Sequence, residues 1–174
     1  MLHKTALSVI IALMIGDLSA QTIQGIVYGK TGEQKAPLFE AAIQSSSEEV
    51  KSDSLGLFSI DVSGDQELTI SCDGYEKETH EIGEKTDEPE IVLKLKDETA
   101  GKEAKYEVFG MGCPGCHGGL ENHLDKLPQV KSASANWQKD KVSLTLYPCM
   151  TLPEEDFQEA VEKANMTPGE SISE

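Results

Sequence analysis

Positive charge is scarce in this chain. Lysine and arginine together number 15 against 31 acidic residues, a formal net charge of −16 over 174 residues. Polyanions are held by clustered cations, so nucleic acid and anionic lipid are not expected partners. Cations, basic proteins or plain solubility all fit the acidic balance. Long apolar runs are missing too. The stretch Leu7 to Gly16 is mostly apolar but too short to cross about 30 Å of hydrocarbon as a helix, and no later stretch is apolar enough, so membrane insertion is not expected. Cysteine is sparse, four in all. Cys72 and Cys149 lie in separate regions, which excludes the dense framework of a disulfide-stapled mini-protein. The first half of the chain offers no nucleophile beside a base, and no covalent chemistry on a substrate is expected.

What is present begins with a leader-like segment. His3 and Lys4 precede the apolar run, and Leu18-Ser19-Ala20 ends in a small residue before Gln21. Residues 1–20 therefore read as a signal peptide. No cysteine follows the run to carry a lipid anchor. A periplasmic or secreted protein is the expectation.

From Thr22 to Leu95 short alternating segments are broken by turn residues. Ile23, Gly25 and Val27 share one face, as do Phe58, Ile60 and Val62, then Leu68, Ile70 and Cys72, then Ile91, Leu93 and Leu95. Glycines at 29, 32, 56, 64 and 74 punctuate at the spacing of a β-sandwich. Four motifs follow in order: Gly25-Ile26-Val27; Ala36-Pro37-Leu38 with Ala41-Ala42-Ile43; Asp53-Ser54-Leu55-Gly56-Leu57-Phe58; and Gly74-Tyr75-Glu76. The series resembles the carboxypeptidase-regulatory-like domain. That resemblance implies a seven-stranded transthyretin-like sandwich over residues 21–95, acting as a non-catalytic module of an exported protein. His80 reads as a solvated strand residue, and Cys72 as a small buried hydrophobe.

Residues 96–104 carry charge without apolar period and read as a flexible linker. Beyond them, over 105–174, the period alternates between two and 3.6. Tyr106 and Val108 mark a strand. Leu120, Leu124 and Leu127 stripe a helix that starts near Cys116 and is stopped by Pro128. Ala133, Ala135 and Trp137 face one way in a strand, a turn follows at Lys139-Asp140, and Val142, Leu144 and Leu146 alternate in the next. Phe157, Ala160, Val161 and Ala164 stripe a second helix, and a short strand around Glu170–Ile172 closes the order βαββαβ, an α+β ferredoxin-like domain.

Gly110-Met111-Gly112-Cys113-Pro114-Gly115-Cys116 lies between the first strand and first helix of this region. Two thiolates on one loop suit a soft ion, and a helix start at Cys116 favours the ionised sulfur. The segment resembles the metal loop of the heavy-metal-associated domain, the family of copper chaperones and mercury-binding carriers. The resemblance covers roughly residues 104–172. It implies that Cys113 and Cys116 hold the metal and that Met111 tucks beneath the loop. Asn165 and Met166 stand where the family often has Gly and an aromatic residue. Met166 would shield the site or lend a thioether, and His117 is an auxiliary ligand candidate. The implied cargo is Cu(I), with Hg(II) or Zn(II) as alternatives, and the implied partner is a metal donor or acceptor with soft ligands. Cys149 and Met150, in the turn after the third strand, are expected at the opposite end and outside the site.

Three rival readings share these residues. Cys113-Pro114-Gly115-Cys116-His117 satisfies the c-type haem attachment signal, with Met150 or Met166 as distal ligand. The same pair suits thiol–disulfide exchange, and its oxidation is expected to inactivate a carrier outside the cytoplasm. The domain could also serve as an adaptor without metal. Phe109, Thr145 and Tyr147 are expected on the sheet face away from the helices, a contact surface if they cluster. Oligomeric state is not legible.

Overall fold

A computed structural model of the chain describes residues 21–62, 64, 67–83, 88–96, 99–112 and 115–172. The signal-peptide reading and Cys113 therefore fall outside the described residues. The described chain forms three four-stranded sheets and two helices.

Eight strands make the first unit: β1 (Thr22–Thr31), β2 (Gln34–Pro37), β3 (Ala42–Gln44), β4 (Glu49–Lys51), β5 (Leu57–Asp61), β6 (Glu67–Ser71), β7 (Glu78–Glu81) and β8 (Glu90–Lys94). One sheet is built around β1, which pairs antiparallel with β5 through its first half and with β2 through its second, and parallel with β8 along its other edge. The other sheet has the order β4-β3-β6-β7. The strands number one more than the seven expected. β3 and β4 span three residues each, too short to show an alternation in sequence.

The alternation of two puts Ile23, Val27, Phe58, Ile60, Leu68, Ile70, Ile91 and Leu93 into one core with Leu38, Ile43 and Tyr75. The turn into β5 is fastened by Asp53, whose Oδ1 accepts hydrogen bonds from the Leu55 and Leu57 amides at 2.8 and 2.9 Å. Gly56 completes that turn at φ +77°, where a side chain would strike the Val27 carbonyl 2.5 Å away.

The second unit contains β9 (Lys102–Phe109), α1 (Cys116–Leu124), β10 (Val130–Asn136), β11 (Lys141–Leu146), α2 (Glu154–Lys163) and β12 (Thr167–Ser171), with sheet order β10-β11-β9-β12 and all pairings antiparallel. This is the βαββαβ order. Val108, Met111, Leu120, Leu124, Val142, Leu144, Phe157 and Val161 fill its core. Tyr106 stacks on Phe157 with centroids 4.1 Å apart, setting α2 on the sheet. Several details differ from the sequence reading. β9 takes up Lys102 to Ala104 of the expected linker. Trp137 lies beyond β10 and is 37% exposed, because the strand ends at Asn136 and the chain turns there. The last strand starts three residues earlier than expected, at Thr167, where it pairs with Phe109.

The largest correction concerns Cys72. It is no isolated hydrophobe: it forms a disulfide with Cys149, across 77 residues of sequence. Closing a loop of that length lowers the entropy of the unfolded chain, by about 4.5 kcal/mol in the chain-entropy account. The segment after β11 follows the bond into the first unit. Met150 is 3% exposed within the sandwich core, with Tyr147 and Cys149 packed against that core. The Phe39 amide donates to the Cys149 carbonyl at 2.6 Å, and the Thr31 hydroxyl to the Pro128 carbonyl at 3.2 Å. Lys131 reaches the Thr99 carbonyl at 2.6 Å, while the Thr99 hydroxyl donates to Gly74 and Lys96 carbonyls.

Tyr75, 1% exposed, carries a hydroxyl with no hydrogen-bond partner among the described residues. Burial, and secondarily Tyr147, push its ionisation well above the usual tyrosine range. The folded state therefore holds Tyr75 neutral, and its contribution is complete below pH about 10 and lost as pH rises beyond that. Tyr75→Phe should gain about 1 kcal/mol at neutral pH by removing an unpartnered polar atom. It should also flatten the fall of stability above pH 10, both read from urea unfolding across a pH series.

Candidate metal-binding loop

The loop begins where β9 runs out of partners. Phe109 pairs with Thr167, and Gly110 then turns the chain at φ +95°. Met111 folds inward, 3% exposed, among the core residues beneath the loop. The Gly112 amide donates to the Gly110 carbonyl at 2.9 Å, closing a tight turn. Helix α1 starts at Cys116 behind Gly115, which supplies no side-chain cap, and its first turn has no acidic residue. Cys116 thus sits at the positive end of the helix dipole, which favours the ionised sulfur once it is reduced.

Two features hold α1 in place. Leu120 and Leu124 are fully buried on its inner face. On its flank, Glu121 and Asp125 accept hydrogen bonds from the Ala135 and Ala133 amides of β10, at 2.8 and 2.7 Å. These carboxylates satisfy donors on an otherwise open sheet edge. The surroundings of the loop are empty by contrast. Side chains added at Gly112, Gly115, Gly118 or Gly119 would meet nothing within 4 Å.

Cys116 is disulfide-bonded; Cys113, the other expected thiolate, lies outside the described residues. His117 is half-buried, and its Nδ1 is enclosed without a hydrogen-bond partner among the described residues. Asn165 adopts φ +58° after α2, a left-handed turn that Asn tolerates. The next residue, Met166, packs partly against the core, and its Cα lies 3.9 Å from where a Gly110 side chain would begin. The structure thus brings Met111 and Met166 to the loop. It leaves Cys149 and Met150 elsewhere. Leu146 pairs with Lys102 at the start of β9, whereas the loop follows Phe109 at its end. Seven residues of strand, about 23 Å, separate the two ends.

Phe109, Thr145 and Tyr147 do not cluster. Thr145 pairs with Glu103, six residues along β9 from Phe109, and Tyr147 packs against the sandwich. Among the described residues no three of the His, Cys, Asp and Glu side chains converge on a point. The Cys72–Cys149 pairing was the feature least accessible from sequence. An even cysteine count hints at bridging without revealing connectivity.

Residues 105–167 match the heavy-metal-associated domain family. The match covers the second unit from β9 into β12 and leaves the sandwich aside. Solved structures similar to part of the chain include a copper-binding domain of the P-type ATPase HMA7, 25% identical over 41% of this chain and 93% of that one, TM-score 0.37. Another is the Cu(I)-loaded N-terminal domain of a potential copper-translocating P-type ATPase from Bacillus subtilis, 24% identical over 42% and 94%, TM-score 0.37. A third is the N-terminal domain of the zinc(II) ATPase ziaa, 26% identical over 40% and 64%, TM-score 0.35. No curated protein sequence matches the chain.

The backbone at Gly110 sets how the loop leaves the sheet. Gly110→Ala has room for its methyl group but must hold φ +95°. It should cost about 1–2 kcal/mol by backbone strain alone, measured as a lower denaturant midpoint at unchanged m-value.

Proposed function

We propose that the second unit binds a soft metal ion, Cu(I) foremost, between the thiolates of Cys113 and Cys116 and hands it to a partner by ligand exchange. The observation that carries this reading is Cys116 at the uncapped N-terminus of α1, on a glycine-lined loop with open space around it, inside a heavy-metal-associated domain. A d¹⁰ ion accepts two sulfur ligands in near-linear geometry. Two ligands leave it open to attack by a partner's thiols, so transfer needs no release into solvent. A closed zinc site takes four ligands, more than this loop offers. Met166 acts as a lid beside Gly110, and Met111 as the floor. The disulfide at Cys116 is the resting, metal-refusing state, which a dithiol donor must open.

Residues 21–95 are, on this reading, a carboxypeptidase-regulatory-like module. The turn made by Asp53 and Gly56, and the burial of Tyr75 after Gly74, give those motif residues structural work. The protein is a carrier rather than an enzyme and operates in the periplasm or outside the cell. A c-type haem fits poorly, since Met150 lies in the sandwich core and the domain interior is filled by side chains. Thiol–disulfide exchange is the second reading, favoured by the oxidised state of Cys116.

Metal analysis of the reduced protein separates these readings. One equivalent of Cu(I) is expected, and Cys113→Ser and Cys116→Ser should each weaken binding by at least a hundredfold in competition with a chromophoric chelator. Reduced protein that takes up no soft metal but turns over in a disulfide-reductase assay would replace the carrier with the exchange reading.

A further inference from the structure

The four cysteines are not equivalent. We propose that Cys72–Cys149 is a permanent clamp that outlasts the reduction opening the metal loop, fixes the sandwich at the pole opposite that loop, and withholds two thiols from soft metal. The inference rests on the metal-carrier reading for its consequence, but its own evidence is independent.

Solvent access alone does not protect the clamp. Both sulfur-bearing residues border a cleft of about 770 Å³ between the units, wide enough for a small thiol and rimmed by Lys51, Lys77, Lys96 and Lys102. The protection comes from what surrounds the bond. Met150 is sunk in the sandwich core, Tyr147 packs on that core, and the Phe39 amide holds the Cys149 carbonyl. Pro148 sits so close to Gly74 that any side chain there would collide with it. The Thr31–Pro128 hydrogen bond ties the same two units, and Lys131 bonds the connecting segment at Thr99, whose hydroxyl reaches Gly74. If the bond breaks, these contacts keep the two thiols facing each other at high effective concentration, so the equilibrium favours re-closure. Among the described residues, no such packing surrounds Gly112, Gly115, Gly118 or Gly119 of the metal loop and helix start. The loop disulfide should therefore open first.

The clamp also decides how many soft-metal sites the protein has. Reduced Cys72 and Cys149, with Cα atoms 6.5 Å apart and Met150 adjacent in sequence, would form a second set of sulfur donors. Held as a disulfide, they cannot ligate. Only the loop is then armed.

Reduction is balanced by a dithiol. One thiolate attacks a protein sulfur to form a mixed disulfide, the second displaces it, and the products are two protein thiols and a cyclic oxidised reagent. The full chain is equilibrated in graded ratios of reduced to oxidised dithiothreitol, alkylated, and mapped by mass spectrometry. The Cys113 and Cys116 peptides should be alkylated at a ratio at least tenfold below that required for Cys72 and Cys149. Simultaneous or reversed alkylation overturns the clamp. Met150→Ala, which keeps all four cysteines, should narrow the gap between the two steps; an unchanged gap overturns the packing explanation. Within the window where only the loop is open, one equivalent of Cu(I) is expected. Ordered reduction without copper uptake would leave the clamp standing and remove the carrier reading.

Discussion

Burial of Met150 in the sandwich core, with Tyr147 and Cys149 packed against that core and the Cys72–Cys149 bond beside it, ties the sandwich to a second unit whose own core contains none of these residues. The first unit has two sheets and the second has one, each unit has its own apolar interior, and the chain between Lys96 and Lys102 has no large apolar side chain to pack them together. A single methionine inserted into the neighbouring core, with a covalent bond next to it, converts a tether into a packed joint. The disulfide limits the unfolded chain, the methionine supplies burial, and hydrogen bonds from the Phe39 amide and the Thr31 hydroxyl set the orientation.

That joint has a direction. It grows from the end of β11, while the metal loop grows from the end of β9 antiparallel to it, so one strand length lies between them. The sandwich is thereby held about one strand length from the loop. The loop itself combines an open outer surface with a firm base: Met111 anchored in the core, α1 pinned by Leu120 and Leu124, and the helix acids bonded to β10. An exchange reaction between thiolates wants this combination, since the sulfurs must be reachable while their backbone stays put.

Much of the architecture was legible in the sequence because it depends on local period. Alternation located β1, β5, β6, β8, β9 and β11, and the spacing of Leu120 with Leu124, and of Phe157 with Ala160 and Val161, located both helices. β3 and β4 escaped because three residues hold no period. Trp137 was placed inward by extending an alternation one residue past the point where the hairpin turns. The metal loop was readable as chemistry, two thiols at a helix start, and Met166 was placed beside it only through the resemblance to the heavy-metal-associated family.

The sequence by itself determined the elements, their order and the soft-donor character of one loop, since each follows from contacts within a few residues. Only the tertiary structure decided which cysteines meet, that Met150 serves the other core, and that Tyr147 leaves the face of Phe109. Those outcomes depend on pairs 77 residues apart in the chain, and no local preference encodes a partner at that distance; it emerges when two packed surfaces leave room for a methionine and bring two sulfurs within bonding reach.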